Sequence, residues 1–281
     1  MWLINQILNM ISIFAKPPFE MKHLQRVSSI IRGEQIAAYM GNARLNPEKG
    51  YENDVCIYVK PHIYPENDYK FEKHSYIDIH DGFSLRHTLR KYPEVGCISI
   101  SDHATYVLKQ YIKNKIVTIP HHHCNFERMT RERNKIKKVG ITGSFQAFPF
   151  VPDIIKDGLK ARGILYEEYS NFYPRTSVAR FHYSLDIHLV WRPWRKQLSS
   201  PLKVTNAMAF GVPTIALNID EPSYKEVEGC YIGVKTVEEW LEALDRLIAD
   251  PKLYKIMSDK CFEMAEKYHI ENIAKLYEEL T

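Results

Sequence analysis

The sequence predicts an α/β fold built from two parallel-sheet units, and three observations lead there. Short runs rich in Ile, Val and Tyr recur along the chain, several of them apolar on both faces, as strands buried between helices are. Amphipathic helical patterns lie between the runs, giving a β-α-β-α order. A polar, charged stretch at 125–138, NFERMTRERNKIKK, separates one set of runs from the next. A length of 281 residues suits two domains of ordinary size.

The chain opens with MWLINQILNMISIFAK. Leu3, Ile4, Ile7, Leu8, Ile11 and Phe14 recur at helical spacing, so a helix with one apolar face is expected. Two settings suit it: packing on the N-terminal domain, or lying on a membrane surface through residues 1–15. Asn5, Gln6, Asn9 and Ser12 interrupt it, so it is too short to span a bilayer, and no basic residue precedes it as in a secretory signal. Strands are expected at 55–59, 76–80, 97–101 and 116–119, with a helix at 104–113. A second set follows at 138–142, 165–169, 185–190, 214–217 and 231–234, with helices at 152–162, 201–210 and 237–249. A last helix at 270–280 carries an apolar stripe of Ile270, Ile273, Leu276 and Leu280. The expected domains are 1–130 and 131–265, with 266–281 as a C-terminal helix whose packing partner stays open, the first domain being one candidate. Ligands of such sheets bind beyond the carboxyl ends of the strands, which directs attention to a cleft between the units.

Composition narrows the class. A net charge of +4 is mild, and nucleic-acid binders show a stronger, clustered basic excess. The chain has 18 Tyr and 12 Phe, enough aromatic surface to exclude long disorder. Its 5 Cys are scattered, odd in number and without a CxxC pair, which points to a reduced, cytoplasmic compartment.

The most informative stretch is SSPLKVTNAMAFGVPTIAL, 199–217. Ser200 suits an N-cap, Pro201 the first helical position, and Gly211 and Pro213 the stop. Lys203 falls in the first turn, where side chains lean toward the N-terminus and an ammonium would reinforce an anion site. Asn206 shares its face and can hydrogen-bond a sugar hydroxyl. The same pattern also describes an ordinary capped helix with an exposed lysine.

This stretch resembles the donor-site helix of GT-B glycosyltransferases, most closely the retaining, family-4-like group; Lys203, Ala207, Gly211 and Pro213 carry the resemblance. In that family the Lys contacts the donor phosphates and an acid holds the ribose hydroxyls. Asn206 stands where the acid is usual, and Leu198 where a first acid would stand eight residues earlier. The resemblance implies two Rossmann-like parallel-sheet domains facing a cleft, with the nucleotide-sugar held mainly by the C-terminal one.

Other segments agree. KKVGITGSFQAF reads as a strand and turn in which Gly143 and Ser144 could bring backbone amides to a pyrophosphate, with Phe145 beside them. SLDIHLVWRPWRKQ resembles the strand and loop before the donor helix, and Arg192, Arg195 and Lys196 place positive charge near Lys203. Arg192 and Lys203 are the pair expected to neutralise the leaving diphosphate; Lys196, Ser200, Thr205 and Asn206 complete the expected donor contacts. IDIHDGFS puts His80 and Asp81 at a strand end, where either could orient or deprotonate an acceptor hydroxyl. The run His121, His122, His123 and Cys124 invites a metal, but neighbours on an extended chain alternate in direction and no second cluster has zinc spacing.

The resemblance implies a hexosyltransferase using a UDP- or GDP-sugar, retaining, without metal or other cofactor. The acceptor would be a glycan, a lipid-linked saccharide or a protein. The implied setting is cytoplasmic, or peripheral at the inner face of a membrane. Three alternatives remain open on sequence: a nucleotide-sugar epimerase of the same fold, a binding protein that has lost catalysis, motivated by Asn206, and a membrane-surface scaffold resting on the N-terminal apolar stripe.

Overall fold

In the computed structural model, residues 10–16, 27–63, 66–133, 135–194, 196–217 and 221–281 are described. All strand pairings among them are parallel. Two compact units emerge: Met1–His121 with Gln197–Ser200 and Ile270–Thr281, and His122–Lys196 with Pro201–His269.

The first unit contains β1 (Ile11–Phe14), α1 (Gln35–Tyr39), β2 (Ala43–Leu45), β3 (Val55–Val59), β4 (Ser75–Asp78), α2 (Arg86–Lys91), β5 (Gly96–Ser99), α3 (Asp102–Lys109) and β6 (Ile116–Thr118). A stretch of π-helix, Ser29–Glu34, leads into α1. The six strands are ordered β2-β1-β3-β4-β5-β6. The expected N-terminal helix is not what residues 11–14 adopt; residues 1–9 of it lie outside those described. Ile11 and Ile13 are fully buried on one side of an inner strand. Ser12 faces the other way and donates to Asp54 Oδ2 at 2.5 Å, and Arg44 Nη2 reaches the same oxygen at 2.7 Å. An apolar run this short is ambiguous in period, and pairing with β2 and β3 decides it.

A buried ion pair ties this unit together. Arg32 Nε bonds Asp78 Oδ2 at 2.6 Å, and its Nη1 donates to the Ile119 and Pro120 carbonyls at 2.7 and 3.0 Å. Its guanidinium lies 5.5 Å from the ring of Tyr277 on the C-terminal helix. Burying two charges costs desolvation, so breaking this pair from one side would cost several kcal/mol, about 3–5.

The second unit runs β7 (Lys138–Thr142), α4 (Asp153–Ala161), β8 (Leu165–Tyr169), α5 (Arg175–Ser184), β9 (Ile187–Val190), α6 (Leu202–Met208), β10 (Thr214–Leu217), β11 (Tyr231–Val234), α7 (Val237–Ala249) and α8 (Pro251–Ala265). The five strands are ordered β11-β10-β9-β7-β8. Helices cover both faces: Ile155, Leu159, Trp240 and Leu244 pack with Val139, Ile187 and Ile215, and Val178, Val204, Met208 and Cys261 with Val190 and Ala216. This double coverage is why β9 and β10 are buried throughout. Thr236 caps α7 and Asp250 caps α8 through their side chains. The final helix, α9 (Ile270–Glu278), groups with the first unit.

The expected strands at 55–59, 138–142, 165–169, 214–217 and 231–234 form with those bounds. The change of unit falls at His121–His122, upstream of the polar run. Cys124 N–H donates to Asn206 Oδ1 at 2.9 Å and Arg175 Nη1 to the Cys124 carbonyl at 2.6 Å, holding the segment before that run on the second unit. All five cysteines are buried and free. Among the described residues no helix is long and apolar enough to cross a membrane.

Candidate active site

In the second unit the first strand, β7, lies between β9 and β8, so the strand order reverses at the β7–β9 pair. Connections leaving two such strands turn to opposite faces, which opens a crevice at their carboxyl ends. Thr142 and Gly143 end β7 on one side; Trp191 and Arg192 leave β9 on the other.

Lys203 reaches into this place from the first turn of α6. A Cβ added to Gly143 would lie 3.3 Å from Lys203 Nζ, so the glycine leaves the ammonium room against the end of β7. Burial, followed by the charges of Arg192 and Lys196, pushes the Lys203 ammonium down to about 8. Two further cations, Arg192 and Lys196, thus act on the ammonium that Lys203 holds against the carboxyl end of β7. Arg192 is ion-paired with Glu221, whose Oε1 also accepts from Ser223 Oγ at 2.9 Å. Beneath them Thr142 Oγ1 lies 3.2 Å from His182 Nε2 and 3.0 Å from His188 Nε2. Burial pushes His182 down to about 3; burial, then His182 and Lys203, hold His188 well below its ordinary range. The floor is thus neutral imidazole and adds no charge to the cationic cluster.

The remaining residues singled out in the sequence fall as follows. Pro201, not Ser200, is the N-cap of α6, and no side chain caps that end. Proline's ring fixes its own φ, and the helix begins one residue later than the Ser-Pro pattern suggests. Ser200 groups with the first unit. The Gly143 N–H is not open to a ligand, since it donates to the Tyr169 carbonyl at 3.1 Å. Ser144 is exposed and caps the 3-10 turn Phe145–Phe150 through Gln146 N–H; Phe145 is half-exposed. Lys196 is exposed, and Arg195 lies outside the described residues. Thr205 is buried and donates its hydroxyl to the Leu202 carbonyl at 3.0 Å, so it serves α6 itself. Asn206 accepts the Cys124 N–H with the oxygen expected to meet a diol. Glu221 is the residue sequence reading missed. It lies beyond β10, far along the chain from Arg192, and no local pattern links the two.

His80 and Asp81 follow β4 in the first unit. His80 has φ +49° and Lys60, after β3, has φ +42°, left-handed values that non-glycine residues adopt at a cost. Asp81 Oδ1 lies 2.9 Å from His80 Nδ1 and 2.5 Å from Lys60 Nζ, so the carboxylate joins both. The His80 ring meets His121 edge to face at 4.8 Å. Downstream, His122 packs on Phe126 at 5.1 Å and His123 on His269 at 5.4 Å. The consecutive histidines thus turn to different neighbours.

No family model matches the chain. It is 38% identical over 119 residues to an uncharacterized glycosyltransferase of Haemophilus influenzae, a match covering 40% of this chain and 33% of that protein. The match therefore spans about a third of the curated relative's length. Among solved structures, Anabaena HepE in complex with UDP and glucose superposes with TM-score 0.62 at 9% identity, covering 96% of this chain and 99% of that one. A variant of Staphylococcus aureus TarM with fondaparinux, α-GlcNAc-glycerol and UDP gives 0.54 at 14% identity over 83% of this chain and 52% of that one. S. aureus MnaA with UDP gives 0.51 at 11% over 97% of each. Two α/β units on parallel sheets of six and five strands give the chain the GT-B fold.

Proposed function

We propose that the chain is a glycosyltransferase that moves a sugar from a nucleoside-diphosphate donor to an acceptor hydroxyl. The observation that carries this is the Lys203 ammonium held against Gly143 at the end of β7, with Arg192 leaving the end of β9, where the strand order reverses. As the anomeric C–O bond breaks, its electron pair passes to the β-phosphate oxygen. A preorganised ammonium stabilises that growing charge more in the transition state than in the bound donor. Lys203 is the principal group; Arg192 assists to the extent that the diphosphate competes with Glu221. Because side chains of the protein supply this charge, the reaction is read as metal-independent.

On the acceptor side, His80 is held by Asp81 through Nδ1, which leaves Nε2 to orient or accept a hydroxyl proton. The donor is a UDP- or GDP-sugar; the complexes of HepE and the TarM variant with UDP favour UDP. The acceptor is a glycan, a lipid-linked saccharide or a protein. Retention follows from the family-4-like helix sequence, and five buried thiols suit a cytoplasmic setting. Residues 11–14 are an inner strand and so do not belong to a membrane-surface helix.

A thermal-shift screen against UDP, GDP, ADP and CMP tests the donor class, with stabilisation by UDP or GDP expected. No shift with any of them would remove the proposal. Incubation with donor alone, followed by sugar analysis, separates transfer from epimerisation. Donor binding with no turnover across an acceptor panel would identify a binding protein. Turnover unchanged by a chelator is the expected result for the metal-independent reading.

A further inference from the structure

At the amino end of the second sheet, away from the site above, residues 131–138 bring Arg131, Arg133, Lys135, Lys137 and Lys138 into one run. The run borders a groove of about 950 Å³ whose other wall sets Leu247, Ile248, Pro251 and Phe262 beside the polar Lys255, Ser258 and Asp259. A second hollow of about 480 Å³ adjoins it at Lys137 and Lys138. Most of the local acid is already matched. Asp186 takes Arg131 and the backbone N–H groups of Lys137 and Lys138; Glu167 takes Lys138, and Asp259 takes Lys255. Arg133 is spent on the Leu185 and Phe210 carbonyls. Lys135 and Lys137 are left exposed, with no ion pair to either among the described residues. Glu132 is the exposed acid between them and Arg131. Beside this charge, Ile248 is 42% exposed and Ile256, next to Lys255 on α8, is 65% exposed.

We propose that this face docks on an anionic phospholipid surface, with Lys135 and Lys137 on headgroup phosphates and Ile248 at the acyl boundary. Charge complementarity selects an anion, and exposed aliphatic side chains beside the lysines give it an apolar neighbour that a soluble phosphate lacks. The opposite end of the same sheet, with Lys203, stays clear of the contact.

The test is co-sedimentation of the full chain with vesicles of phosphatidylcholine alone, or with part of it replaced by phosphatidylglycerol, at moderate salt. Binding is expected to the mixed vesicles only. The double variant Lys135→Glu, Lys137→Glu should bind them at least about tenfold more weakly, and Ile248→Ser a few-fold more weakly, with unchanged circular dichroism. Inorganic phosphate and glycerol phosphate should not compete beyond their ionic strength. Undiminished binding by the double variant would move the contact elsewhere and overturn the proposal. So would equal binding to neutral vesicles, or competition by soluble phosphate, which would make the groove a site for a free phosphate. Failure of all vesicle binding overturns it too, and none of these outcomes bears on nucleotide binding at Lys203.

Discussion

Replacing Lys203 by Met tests the candidate site most directly, because stability and ligand affinity should move differently. The Lys203 ammonium is held down to about 8 against an ordinary 10.5, burial being the largest cause. Between those values the folded chain binds fewer protons than the unfolded chain, so stability rises with pH across that window. Below about 8 the folded state carries a disfavoured charge, worth about 3 kcal/mol as an order of magnitude. Lys203→Met removes that charge and keeps the stem's apolar contacts, so near neutral pH the variant should be at least as stable as the parent. Its affinity for UDP should instead fall by about 10–100-fold, the worth of one charge-assisted hydrogen bond at about 1.5–3 kcal/mol. Calorimetry at about pH 7 and about pH 9 adds a second signature. In the parent, UDP binding should weaken as Lys203 loses its proton above about 8; in the variant that dependence should vanish. A folded Lys203→Met chain with parental UDP affinity, or one keeping the parental pH slope, would refute the assignment.

Four further outcomes are expected. Glu221→Gln neutralises the acid paired with Arg192 and should tighten UDP binding by about three- to tenfold; weaker binding would mean that Glu221 orients Arg192 rather than competing for it. Gly211→Ala should cost about 2–4 kcal/mol in urea unfolding, since φ is +65° and the new Cβ would lie 2.3 Å from the Phe262 ring. Asn206→Ala strands the Cys124 N–H and should cost about 1–2 kcal/mol while changing UDP affinity less than Lys203→Met does; a larger loss of affinity would restore Asn206 as a direct ligand. His182 is held neutral down to about 3, so the unfolded chain takes up its proton first as pH falls below the ordinary 6.5. The thermal midpoint should drop across that window, and His182→Gln should flatten the drop.

Much of the second unit was legible in the sequence. Lys138–Thr142, Thr214–Leu217 and Val237–Ala249 form as expected because their apolar periods match structures covered by helices on both sides or packed on one face. The stop of α6 was equally plain, since Gly211 alone supplies the left-handed turn there. The helix Pro251–Ala265 was missed although its signal was present, with Asp250 as the cap and Pro251 at the first position. Helix α5 left a weaker trace, because its buried Val178, Ala179, Phe181 and His182 do not form a simple apolar stripe.

Residue types at chain positions thus determined an α/β fold, the bounds of its better strands, and Lys203 as the cation to examine. Sequence could not determine that Ile11–Phe14 is an inner strand, that Asn206 grips the Cys124 backbone, or that Glu221 already holds Arg192. Local periodicity reports how a segment buries itself against something. Which partner it meets across a sheet, or 29 residues along the chain as Glu221 meets Arg192, is settled only when distant backbone is packed together.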